Sequence, residues 1–158
     1  MKHDKCGTPD CCQECGPIQT KLNRFVQILG NIEDDQDKYV WIMDFGKNSV
    51  PMRAKYKMEE FEIIGCQTST WLVPHYVDDK IYFSADSMAL ISKGMVCLIA
   101  DVYSGSSAQD INEFDQDNFK ELKLDTLLTP GRNNGVHSML KQILEYSMMH
   151  QEDSQARA

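Results

Sequence analysis

No run in this 158-residue chain approaches the roughly 18 apolar residues needed to cross a bilayer. The opening Met1-Lys2-His3-Asp4-Lys5 lacks the apolar stretch with which an export signal begins. Membrane insertion and secretion are therefore not expected, and the expected setting is a reducing cytoplasm. Basic residues are scarce, since 16 Lys and Arg face 24 Asp and Glu and leave a net charge of −8. Such a surface is repelled by phosphate backbones and anionic headgroups, which excludes nucleic acid and membrane as expected partners. No internal repeat and no low-complexity linker divides the chain. What remains, 42% hydrophobic residues at this length, suffices for one domain with its own core.

Cysteine is present but unevenly spread. Cys6, Cys11, Cys12 and Cys15 crowd the first fifteen residues, whereas Cys66 and Cys97 stand apart. In a reducing compartment all are free thiols by default. The early four, with His3, supply enough soft ligands for a tetrahedral zinc. Adjacent Cys11 and Cys12 are poorly placed to turn toward one ion, however, and structural zinc sites pair separated knuckles. Residues 1–17 accordingly read as a flexible polar extension, and a metal-binding or scaffold module built on these cysteines is the alternative functional reading.

Beyond Pro17, Ile18, Leu22, Phe25, Val26 and Leu29 recur at helical intervals and predict a helix over residues 18–30. The acidic run of residues 33–37 suits a helix N-terminus and leads into an apolar stretch over residues 38–45 that stops at Gly46. Residues 47–60, with Pro51 and many charges, read as a surface connection. About three β-favouring stretches follow, around Phe61 and Ile63, Thr70 and Leu72, and Ile81 and Phe83. A hairpin turn falls at Asp78-Asp79. Pro74 cannot donate to a ladder and belongs at an edge or bulge. Asp86 or Ser87 is placed to cap a helix whose apolar stripe runs Met88, Ile91, Met95, Leu98, Ile99 and Val102 before Gly105. Cys97, beside that stripe, reads as a buried structural thiol. Residues 107–128 read as one or two short helices. A last helix begins near Asn134 and turns Val136, Met139, Leu140, Ile143, Leu144 and Met148 inward, with residues 151–158 as a frayed tail. The fold class is α+β, a small antiparallel sheet packed against several helices.

Cys66 is placed differently from the other thiols. It follows Gly65 at the end of one β-prone stretch and precedes another, so its sulfur is presented at a turn. Gly65-Cys66-Gln67-Thr68-x-x-Trp71, Ala85-Asp86-Ser87-x-Ala89-x-Ile91-x-Lys93-Gly94 and Leu128-Thr129-Pro130-Gly131-Arg132 resemble, in order and spacing, the three signatures of the SufE family. The resemblance spans residues 18–150. It implies a SufE/IscU-like fold and a sulfur acceptor that activates a cysteine desulfurase and supplies an iron–sulfur scaffold system. No cofactor is implied for this chain, because the pyridoxal phosphate belongs to the desulfurase. Three positions depart from the family pattern: Ala85 and Met88 in the second block, and Gly131 where serine is usual.

The chemistry of Cys66 follows from sulfur itself. A thiolate can attack the outer sulfur of another protein's persulfide and carry that sulfur away. No Cys-x-x-Cys partner flanks Cys66, which favours transfer over disulfide cycling. Arg132 matches the arginine of the family's Leu-Thr-Pro-Ser-Arg motif. In a glycine-rich loop ahead of a helix, its permanent charge suits a thiolate or a developing negative sulfur. The catalytic set expected from the sequence is thus Cys66 and Arg132. A cysteine hydrolase would need a histidine paired with the thiol, for which His75 and His137 are the candidates. Trp71 reads as a core or rim aromatic.

Overall fold

A computed structural model describes the backbone of residues 17–157 and side chains as far as Asp153. The early cysteines and His3, and with them the zinc alternative, lie outside the described residues. The first helix, α1 (Ile18–Gly30), has the expected bounds and buries Ile18, Leu22, Phe25 and Leu29 on one face. Helix α2 (Asp35–Asn48) begins where the acidic run predicts, with the Asp34 carboxylate accepting the backbone N–H groups of Gln36 and Asp37. It does not stop at Gly46. A Cβ at Gly46 would lie 2.7 Å from the Gly94 nitrogen, and one at Gly94 would lie 2.1 Å from the Ile42 carbonyl oxygen. The two glycines therefore mark a backbone-to-backbone helix crossing, and packing holds Gly46 helical against its low propensity.

The sheet is a hairpin, β1 (Thr70–Val77) paired antiparallel with β2 (Lys80–Ser87). Asp78 and Asp79 both have positive φ, 48° and 66°, as a two-residue turn between twisted strands requires. Pro74 faces Phe83, whose N–H points outward to the Ser104 hydroxyl at 2.9 Å, so the proline nitrogen faces the open edge and no ladder bond is lost. The third expected strand shrinks to one bridge, Glu62 with Trp71, and one bond from Ile63 N–H to Thr70 O at 2.8 Å. The 3-10 turn Glu59–Phe61 and the bend at Gly65, φ 104°, leave no room for more.

Helix α3 (Leu90–Tyr103) runs through the middle of the molecule, against β2 on one side and against α2, α1 and the last helix on others. Nearly all of it is buried. Neither Asp86 nor Ser87 caps it, because β2 continues through Ser87 and the cap position falls to Ala89. Met88, expected in the stripe, is exposed. Two short helices, α4 (Ala108–Glu113) and α5 (Leu124–Leu127), flank a 3-10 segment, Gln116–Leu122. Helix α6 (Pro130–Arg157) starts four residues earlier than expected. Its first-turn Pro130 needs no N–H partner, and the Thr129 hydroxyl accepts the Arg132 N–H at 3.3 Å. Its inner face buries Val136, Met139, Leu140 and Ile143 as read, whereas Leu144 is only half-buried and Met148 is exposed. The Tyr146 hydroxyl donates to Leu72 O at 3.0 Å, and Asn112 Nδ2 to Gln151 Oε1 at 2.5 Å. These bonds fasten α6 to the hairpin and to α4, and the helix keeps the expected tail helical as far as Arg157.

Candidate functional site

Two constraints set the Cys66 loop. Gly65 adopts φ 104°, and a side chain there would lie 2.3 Å from the Ser138 hydroxyl on α6, so only glycine lets the chain turn against that helix. Five residues on, Thr70 opens β1 and fixes the other end. Between them Cys66 is half-buried, its S–H directed at Gly135 O at 3.9 Å.

The sulfur lines a crevice of about 10 Å³ with Gln67, Ser92, Met95, Gly131 and Arg132. A volume this small is at the lower limit for a single water. Gly131 admits the Gln67 side chain, whose Nε2 lies 2.2 Å from where a Cβ would stand. Burial pushes the Cys66 thiol above its ordinary value, and a hydrogen bond from the Thr70 side chain acts against that rise.

Arg132 lies in the first turn of α6 and not in a loop ahead of it, because α6 begins at Pro130. Its Nη1 donates to the buried Ser92 hydroxyl of α3. The structure thus brings Cys66 and Arg132, distant in sequence, to one crevice. It does not bring the histidines there. His75 Nε2 is 2.9 Å from the Ser84 hydroxyl across the hairpin, and its ring meets Tyr56 edge-on. His137 is exposed and lines a separate groove beside Phe119 and Leu140. Neither is the base a cysteine hydrolase would need. Trp71 packs with Met52 and Val73 as a core aromatic, with the Lys57 ammonium 5.7 Å from its ring.

Cys97 behaves as the structural thiol expected. It is buried, its S–H directed at Ala85 O at 3.7 Å, and burial pushes its pKa to about 11. Asp86 closes the end of β2 by binding Lys57 at 2.9 Å and Lys93 at 3.5 Å. Burial opposes its ionisation, but those lysines and the Ser87 N–H outweigh burial and hold the carboxyl below its usual range. Among the described residues no group of three or more His, Cys, Asp or Glu is arranged to hold a metal. Sequence reasoning missed Thr70, Gln67 and Ser92. The hairpin turn at Asp78-Asp79 was a usable signal for one of them, since counting back from it pairs Thr70 with Ser87.

A family model described as SufE, the Fe-S metabolism associated domain, matches residues 23–147. The chain is 32% identical over 125 residues to the cysteine desulfuration protein SufE of Wigglesworthia glossinidia brevipalpis, covering 78% of this chain and 86% of that one. It is 31% identical over 133 residues to an uncharacterised SufE-like protein of Rhizobium etli, covering 81% and 90%. It is also 29% identical over 149 residues to the chloroplastic/mitochondrial SufE-like protein 1 of Arabidopsis thaliana, covering 92% of this chain but only 40% of the longer plant protein. In fold it is similar to a hypothetical protein of Thermus thermophilus solved in solution, with TM-score 0.68 at 15% identity, covering 82% of this chain and 94% of that one.

Proposed function

Since this chain belongs to the SufE family, we propose that it takes persulfide sulfur from a cysteine desulfurase onto Cys66, activates that desulfurase by clearing it, and delivers the sulfur for iron–sulfur cluster assembly. The observation that carries the reading is the placement of the Cys66 sulfur and Arg132 on one crevice at a glycine turn. The Cys66 thiolate attacks the outer sulfur of the donor persulfide. A new S–S bond forms to Cys66, the donor's S–S bond breaks, and the donor cysteine leaves as a thiolate, so no external oxidant or reductant is required. The Arg132 guanidinium suits the negative charge passing between sulfurs. Pyridoxal phosphate serves the desulfurase and not this chain. No helix among the described residues is long and apolar enough to cross a membrane. A reducing compartment keeps the thiol available, and we place the exchange in the cytoplasm.

Incubation with a cysteine desulfurase and free cysteine, followed by intact-mass analysis and peptide mapping, tests the reading. A gain of one sulfur atom on the Cys66 peptide, absent in Cys66→Ser, is the expected result. Sulfur acceptance by Cys66→Ser at the wild-type rate would sink it.

A further inference from the structure

Ser92 occupies a buried position on α3, a helix whose inward side is mostly apolar and includes its neighbours Ile91, Met95 and Val96. Alanine there would satisfy burial and favour the helix more, so neither packing nor propensity accounts for the hydroxyl. Its oxygen accepts a hydrogen bond from Arg132 Nη1, which reaches it from the first turn of α6. Both side chains line the crevice that holds the Cys66 sulfur, with Met95 one turn along the same face of α3. Arg132 is only half-buried, and a long, rotamer-rich side chain on a helix surface turns its charged head to water unless something holds it. A carboxylate would hold it but would also neutralise it. Among the described residues no carboxylate forms an ion pair with Arg132, and Asp86, at the end of the neighbouring strand, is bound by Lys57 and Lys93. A serine oxygen is a neutral anchor, so the guanidinium is fixed at the crevice with its whole charge available.

We propose that Ser92 is a positioning residue for sulfur transfer, whose hydroxyl holds the Arg132 guanidinium in the Cys66 crevice, ready for the negative charge that passes between two sulfurs. Ser92 acts through Arg132 and not on the thiol. The inference rests on Cys66 being the sulfur acceptor proposed above, but its first test reads the placement of the cation without any sulfur donor.

Alkylation of Cys66 by iodoacetate and by iodoacetamide would be followed across pH in the full chain and resolved from the other cysteines by peptide mapping. The same thiolate attacks both reagents, forming a C–S bond and releasing iodide, so the ratio of the two rates is independent of how much thiol is ionised. Only iodoacetate brings a carboxylate for the guanidinium to attract. The ratio of iodoacetate to iodoacetamide rates is expected to fall about threefold in Arg132→Ala, the scale of one exposed ion pair, by a similar factor in Ser92→Ala, and no further in the double variant. Ser92→Ala removes one oxygen and leaves a better helix former, so its melting temperature should stay within about three degrees of wild type. In single-turnover sulfur acceptance it should slow the maximal rate about fivefold, the scale of one hydrogen bond, with the donor concentration for half-maximal rate unchanged. A wild-type reagent ratio in Ser92→Ala would overturn the proposal, as would a double variant with a lower ratio than Arg132→Ala alone, since Ser92 would then not act through the arginine. Failure of the wild type to gain sulfur would remove the carrier reading, while the reagent ratios would still decide whether Ser92 places the cation.

Discussion

Arg132 touches Ser92, and the resting Cys66 thiol answers to burial and Thr70. On the proposed function, the Arg132 charge serves the transferring state, when negative charge moves between two sulfurs, and not the resting thiolate. Arg132→Ala should slow sulfur acceptance by roughly tenfold, the scale of one charge-assisted hydrogen bond, and leave the alkylation midpoint within a few tenths of a unit. Arg132→Lys should recover part of the rate. Single-turnover transfer measured beside the alkylation profile checks both, and a midpoint that climbs in Arg132→Ala would assign the arginine to the thiolate instead. Cys66 and Arg132 were legible in sequence, one from its glycine turn and both from their motifs. Thr70 was not, because a β-branched residue opening a strand is ordinary until pairing with Ser87 shows that a hydroxyl is buried where a methyl would do.

At the scale of elements, the start of α6 decides how the thiol is covered. Glycine at 131 and 135 made this stretch read as a loop, yet Thr129 caps it, Pro130 tolerates the first turn, and the helix runs through both glycines where they abut Gln67 and Cys66. The usual serine at position 131 would compete with the Gln67 amide for the same space. Gly131→Ser should displace Gln67, a flexible side chain end, and uncover the sulfur. We expect several-fold faster Cys66 alkylation at fixed pH, with stability changed by no more than about 0.5 kcal/mol because the moved group is exposed. Thermal unfolding and alkylation rates together check this, and unchanged reactivity would show that Gln67 does not shield the thiol. The shortened third strand and the overrun of α2 have a common cause. Residue patterns mark where an element can form, whereas neighbours such as the Gly46–Gly94 crossing and the Gly65 bend fix where it ends.

Across the whole molecule, Asp86 joins three separate segments: the connection carrying Lys57, the end of β2, and α3 through Lys93. The sequence offered Asp86 or Ser87 as the helix cap, since a short polar or acidic residue before an apolar stripe is the usual cap signal. Only the tertiary approach of two lysines could reveal the other use of Asp86. Because its folded pKa lies below the ordinary 3.8, its stabilisation is fully present above that value and fades as pH falls through the lower folded one. Asp86→Asn should therefore lower stability by about 1 kcal/mol near neutral pH, a modest figure because Lys57 is partly exposed. The gap between the two proteins should narrow below pH 4 and close once the wild-type carboxyl is protonated. Denaturant unfolding at pH 7, 5, 4 and 3 measures that gap directly. A difference that stayed constant down to pH 3 would mean that Asp86 acts through its shape and its bond to the Ser87 N–H, and that the lysines contribute nothing to holding this corner of the fold.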